Sequence, residues 1–156
     1  METRSITIQL DDPTCAGVRR LIAELDEYQA QLYPAESNHL VPVEALLARN
    51  VTFLTAKVDG ELAGCGAFVD QGGAYAEIKR MFVSPRFRGL RLGEQMLARL
   101  ESIAVASGLP VARLETGIHQ AAALGLYAKA GYAGCGPFGD YGEDPLSVFM
   151  EKALTK

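Results

Sequence analysis

The chain is 156 residues long, 49% hydrophobic and 22% charged, the size and balance of one domain that can bury its own core. A formal net charge of -4 removes the basic stripe that a nucleic-acid surface needs, and no run of about 18 apolar residues offers a membrane span. Cys15, Cys65 and Cys135 are odd in number and far apart, so neither a disulfide framework nor a zinc site is expected.

In chain order, Ile6, Ile8 and Leu10 alternate with polar residues, the period of a half-buried strand. The segment has no apolar leader core, and the protein is expected to be cytoplasmic. Asp12 and Pro13 signal a helix start, and Val18, Leu21, Ile22, Leu25, Tyr28 and Leu32 recur at helical spacing until Pro34. A short helix is expected from Pro42 to Arg49. Thr52–Val58 and Glu61–Val69 read as a hairpin, because Asp59-Gly60 tolerates the positive φ angles of a tight turn. Gly72-Gly73 turns the chain into another strand, Ala74–Val83.

After a loop at Pro85–Gly89, a helix is expected from Leu90 to Ser107, with Met96, Leu97, Leu100, Ile103 and Ala104 inward and Gly108 as its stop. Val111–Thr116 is a strand, Ala121–Ala130 a helix ended by Gly131, and Tyr132–Cys135 and Leu146–Lys152 are closing strands. This order predicts a single domain over residues 1–156, of α/β class, with a mixed, mostly antiparallel central sheet flanked by helices. The hairpins disfavour an all-parallel doubly wound sheet.

One turn carries chemistry. Val83 ends a strand, Gly89 and Gly93 flank the next helix start, and Arg86, Arg88 and Arg91 crowd between them. Backbone N–H groups at a helix start carry partial positive charge, and glycine admits a phosphate close to the backbone. A solvated basic loop is the alternative. The run is neither a GxxxxGK[ST] loop nor a GxGxxG turn, which excludes two common nucleotide sites.

The run Arg88, Gly89, Leu90, Arg91, Leu92, Gly93 resembles the [QR]xxGx[GA] signature of the GCN5-related N-acetyltransferase (GNAT) superfamily. Arg88 and Gly93 match its ends, and Arg91 stands at its middle glycine. The element order resembles that superfamily over most of the chain. The stretches Glu77–Met81, Leu114–Gly117 and Asp140–Met150 resemble a bacterial subgroup described provisionally or as indole-acetate acetyltransferases.

The resemblance implies the GNAT fold and an N-acetyltransferase that takes acetyl-CoA as co-substrate and a small-molecule amine as acceptor, by direct transfer. It implies that Arg88–Gly93 grip the pyrophosphate and that the backbone of Met81, Phe82 and Val83 holds the pantetheine arm and the thioester oxygen. Tyr127, in Leu126-Tyr127-Ala128-Lys129-Ala130-Gly131-Tyr132, resembles the general acid of an LYxxxGF segment; packing one helix onto the sheet is its other reading. Gln120 falls where the superfamily carries an asparagine. Glu77 resembles the base position of histone-type members, with Glu115 or water as alternatives and a salt bridge as the plain structural reading.

Strand alternation predicts Glu77, Lys79 and Met81 on one face and Ile78, Arg80 and Phe82 on the other. The acceptor side is expected near Tyr33, Glu36, Ser37 and His39 together with Asp140, Tyr141, Glu143 and Asp144. That acidic loop attracts an ammonium on one reading and is a solvated turn on the other. His39 and His119 have no metal-spaced partner, so no metal is expected. A homodimer is a further implication of the resemblance. A CoA-binding sensor without transferase activity and a protein lysine acetyltransferase are the competing functions.

Overall fold

The computed structural model describes residues 4–33 and 42–154. Among these residues seven strands form one sheet: β1 (Ile6–Leu10), β2 (Val51–Val58), β3 (Glu61–Asp70), β4 (Ala76–Val83), β5 (Val111–Gly117), β6 (Ala133–Cys135) and β7 (Ser147–Ala153). Their order is β1-β2-β3-β4-β5-β7-β6, and only β4 and β5 run parallel. The last strand inserts between β5 and β6, pairing antiparallel with both. The mixed, mostly antiparallel sheet expected from the element order is therefore the one the chain forms.

Helix α1 (Ala16–Leu32) covers one face, and α2 (Leu92–Ala106) and α3 (Ala121–Lys129) cover the other. Val18, Leu21, Ile22 and Leu25 of α1 pack on Phe53, Cys65, Ala67 and Phe82. On the opposite face, Leu92, Met96, Leu97, Leu100 and Ala104 of α2 pack on Leu54, Ala56, Phe68 and Ile78. Each large side chain so buried contributes roughly 1.5–3 kcal/mol of apolar transfer. Burial also pushes the Cys65 thiol up to about 12, which keeps it protonated at neutral pH.

Several boundaries differ from the sequence reading, each for a local reason. The first helix begins at Ala16, because Asp12 uses its carboxylate on the backbone N–H and hydroxyl of Thr14 and closes a turn there instead. The segment expected as a short helix after Pro42 is a 3₁₀ turn, Val43–Leu47. Helix α2 starts at Leu92 and not Leu90, since Arg91 is left-handed, with φ 58 and ψ 32. Tyr28, expected inward, is 40% exposed because its level of α1 borders an open cleft. The hairpin at Asp59-Gly60 has φ of 51 and 85, as its dipeptide demands.

The largest departure is in β4. Its register with β3 passes from Ala67↔Lys79 to Cys65↔Phe82, so Arg80 and Met81 together oppose Gly66, and Arg80 has φ 57. This is a β-bulge, and it reverses the expected alternation beyond Lys79. Arg80 turns to α1 and meets Asp26, whereas Met81 packs with the α2 side, where its sulfur sits under Gly66. Phe82 joins the α1 side with Cys65 and Ala67. Glu77 and Lys79 do share a face, as expected, but Met81 does not share it.

Candidate active site

The bulge also ends the pairing of β4 with β5. Their parallel ladder covers only Ala76↔Ala112, Glu77↔Arg113 and Ile78↔Leu114. Beyond it β4 runs five residues to Val83 and β5 three to Gly117, and the two strands splay into a wedge. A split between parallel strands in mid-sheet is a ligand crevice by construction, since main-chain groups along it are not consumed by a ladder.

Two cavities meet in that wedge. The outer one, about 360 Å³, is bounded by the Met81–Val83 edge, the turn before α2 and one side of α3. The inner one, about 70 Å³, lies between Ile78–Met81, Glu115–Gly117, the α1 residues Leu25 and Gln29, and Tyr33 just after α1. Leu25, Met81, Gln120, Ala123 and Tyr127 line both.

The outer cavity collects most of the residues expected to hold a cofactor. Met81, Phe82, Val83, Arg88, Gly89, Arg91, Leu92, Gly93 and Gln120 all line it. Leu90 does not; its side chain packs against the core. Arg86, read with the same basic cluster, turns away to Glu61 at 3.5 Å between exposed side chains. Gly89 takes φ 88, and a Cβ there would meet nothing within 4 Å, so the space over the turn is open. Gly93 admits the close approach of α3, because a Cβ would lie 3.1 Å from Leu126. Arg91 holds the left-handed conformation that a glycine adopts freely, at a cost of roughly 1–2 kcal/mol. The middle position of the turn thus keeps its geometry and adds a cation. At the mouth, Lys129 reaches Glu94 at 2.7 Å.

Tyr127 stands at the junction of the cavities, 6% exposed and edge-on to Tyr132 at a centroid distance of 5.8 Å. Burial first, and then the charge of Glu115, raise its pKa. The phenol therefore holds its proton through the neutral range and can only donate it. Gln120 stands beside it at the N-terminal boundary of α3, and the Thr116 hydroxyl lies 3.5 Å from its side-chain oxygen.

Glu77 is elsewhere. It lines neither cavity and is 4% exposed, with its carboxylate accepting from Gln71 Nε2 at 2.9 Å and Tyr141 Oη at 2.6 Å and pairing with Lys79 Nζ at 3.0 Å. Lys79 also donates to Tyr141 Oη and lies 5.1 Å from its ring centre. Burial and the Glu77 hydrogen bond raise the Tyr141 pKa. Glu115 does line the inner cavity, where Ser147 Oγ donates to it at 2.8 Å.

On the acceptor side, Tyr33 Oη accepts from the backbone N–H of His119 at 3.0 Å, and the two rings stack. A Cβ on Gly117 would lie 1.7 Å from that phenol oxygen, so the tyrosine lid over β5 requires glycine there. Glu36, Ser37 and His39, expected on the same side, lie outside the described residues. Of the loop residues Asp140, Tyr141, Glu143 and Asp144, Tyr141 is tied to Glu77 and Lys79, and Asp144 caps the turn into β7 through the N–H of Leu146. Sequence reasoning missed Lys79, Arg80, Gln29 and Thr116 as lining residues. No signal in the sequence marks the bulge that brings Arg80 to the cavity beside Lys79.

Among the described residues no cluster of three or more histidine, cysteine or acidic side chains is arranged to hold a metal ion. No helix there is long and apolar enough to cross a membrane.

Comparison with known proteins agrees with this architecture. The acetyltransferase (GNAT) family model matches residues 18–132. The chain is 49% identical over 151 residues to the IAA acetyltransferase of Azospirillum brasilense, covering 96% of this chain and 99% of that protein. It is 37% identical over 149 residues to the uncharacterized N-acetyltransferase YsnE of Bacillus subtilis, covering 94% and 99%. A crystal structure from Klebsiella pneumoniae, provisionally described as an acyl-CoA N-acyltransferase, superposes with TM-score 0.81 at 41% identity and covers 96% of this chain and 97% of its own. A PaiA N-acetyltransferase of Thermoplasma acidophilum, solved in complex with coenzyme A, shares the fold with TM-score 0.73 at 20% identity, covering 96% and 99%. The chain belongs to the acetyltransferase (GNAT) family and is an enzyme of the N-acetyltransferase class.

Proposed function

We propose that the enzyme binds acetyl-CoA along the outer cavity and transfers the acetyl group directly to a small-molecule amine in the inner one. The observation that carries this reading is the splay of β4 from β5, with Tyr127 at the junction of the two cavities. The chemistry fits. A turn of helix-start N–H groups with Arg88, Arg91 and an open Gly89 suits a pyrophosphate, and the unladdered β4 edge suits an amide-bearing arm.

Bound there, acetyl-CoA supplies an activated acyl group; the protein supplies placement, charge stabilisation and proton handling. The backbone of Met81, Phe82 and Val83 runs along the wedge and offers N–H groups where negative charge develops on the thioester oxygen. Tyr127 donates its proton to the departing sulfur. Glu115, in the inner cavity, is better placed than Glu77 to take the proton of the attacking amine, directly or through a water. The role of Glu77 is to hold Lys79 and Tyr141.

Direct transfer requires both substrates on the enzyme together. Initial rates of thiol release, with acetyl-CoA and amine varied against each other, are expected to give intersecting double-reciprocal lines. Parallel lines, the mark of an acetylated enzyme, would contradict the proposal.

Arg91 separates charge from backbone in the phosphate turn. Arg91→Gly relieves the left-handed strain but removes a cation, so the KM for acetyl-CoA should rise about three- to fivefold, the worth of an exposed ion pair of roughly 0.7–1 kcal/mol. An unchanged KM would assign the grip to the backbone and Arg88.

A further inference from the structure

The inner cavity is charged on both walls. On β4 the bulge at Arg80 sets two consecutive cations, Lys79 and Arg80, on the α1 side of the sheet, where a regular strand would separate them. On β5, across the wedge, stands Glu115. Two acids paired with these cations, Glu77 with Lys79 and Asp26 of α1 with Arg80, do not line the cavity. Acid behind and base in front polarises that wall, so the group facing it is best an anion.

The donors of Lys79 are incompletely used. An ammonium has three N–H groups; its contacts are Tyr141 Oη and Glu77 Oε2, which leaves one for the cavity. The Glu77–Tyr141 pair, fixed in turn by Gln71, holds the ammonium in place, so this donor is presented without the usual ordering cost of a lysine side chain. A volume of about 70 Å³ holds roughly five water-sized groups. That matches the amine, the α-carbon and the carboxylate of an α-amino acid head.

Resting on the acetyl-transfer reading above, we infer that the acceptor is a small zwitterion of amino-acid type. Its carboxylate sits on the Lys79–Arg80 wall and its amine faces Glu115 and the thioester. The reaction balances without a further reactant: the ammonium loses one proton to solvent, the free amine attacks the thioester carbonyl, Glu115 or a water takes the second proton as the amide bond forms, the carbon–sulfur bond breaks, and the thiol leaves with a proton from Tyr127, which solvent then reprotonates.

The test compares matched acceptors that differ only in the carboxylate: an α-amino acid, its primary amide and its decarboxylated amine, each for several side chains, read as acetyl-CoA-dependent thiol release. For at least one side chain the free acid is expected to exceed its amide and decarboxylated amine by tenfold or more in kcat/KM. In Lys79→Gln that ratio should collapse towards one, and Lys79→Arg should restore part of it. The ratio is internal to each protein, so a variant that is merely less stable lowers both partners and leaves it standing. Equal or faster release with the carboxylate-free amines would overturn the zwitterion while leaving acetyl transfer intact. A ratio unmoved in Lys79→Gln would overturn the assignment of the carboxylate to that wall. Release with no acceptor of any class would overturn both this inference and the acetyl-transfer reading beneath it.

Discussion

Tyr127→Phe is expected to lower turnover by about a hundred- to ten-thousandfold, the range of general acid catalysis. The loss should fall on kcat more than on either KM, because the proton is needed as the thiolate leaves and not for binding. Phenylalanine keeps the ring that packs against Tyr132 and fills the space between the cavities, so the change removes one hydroxyl and no core volume. Burial and Glu115 hold the phenol protonated, so no basic limb from Tyr127 should appear near neutrality. Steady-state kinetics beside a thermal melt checks this. A variant of normal stability and normal kcat would remove Tyr127 from the chemistry and leave it a packing residue.

The second large effect is expected at the turn proposed to hold the pyrophosphate. Arg88→Glu places a carboxylate on the cleft wall proposed to meet the pyrophosphate, and a like-charge juxtaposition of this kind costs several kcal/mol. The KM for acetyl-CoA should rise about a hundredfold or more, with a smaller change in kcat. Arg88 is exposed on a surface turn, outside both packed cores, so the fold should survive the change. The KM of the unmodified enzyme should itself rise with ionic strength, as screening weakens the arginines. A KM that moved only a fewfold in Arg88→Glu would mean that the pyrophosphate lies elsewhere in the cleft. Arg91 is expected to contribute much less, since its charge is worth only an exposed ion pair and a glycine would hold the left-handed bend as well.

The element order, the hairpin at Asp59-Gly60 and the outer cavity were legible in the sequence because each rests on local rules. Alternation marks strands, helical spacing marks α2, and positive-φ dipeptides mark turns. The turn proposed to hold phosphate can be read locally for the same reason: its glycines, arginines and helix start are contiguous. The inner cavity was not, because it depends on a bulge. Lys79-Arg80-Met81 reads as an ordinary alternating strand, and only pairing with Gly66 across the sheet shows that two residues oppose one.

Glu77 was drawn to the chemistry by resemblance. The structure places it on the same strand but before the splay, where the β4–β5 ladder is still closed and Gln71, Lys79 and Tyr141 hold its carboxylate. Arg91 presents the reverse case. It departs from the expected glycine by residue type, yet its backbone takes the conformation the turn requires.

The central claim is that the wedge between β4 and β5 is an acetyl-transfer site and more than a place where CoA rests. Thiol release from acetyl-CoA, followed with purified enzyme across amines, amino acids and peptides, tests it most directly. The account predicts release that depends on a small acceptor, with one acetylated acceptor formed for each thiol freed. Tight binding of CoA with no acceptor-dependent release anywhere in the panel would contradict it.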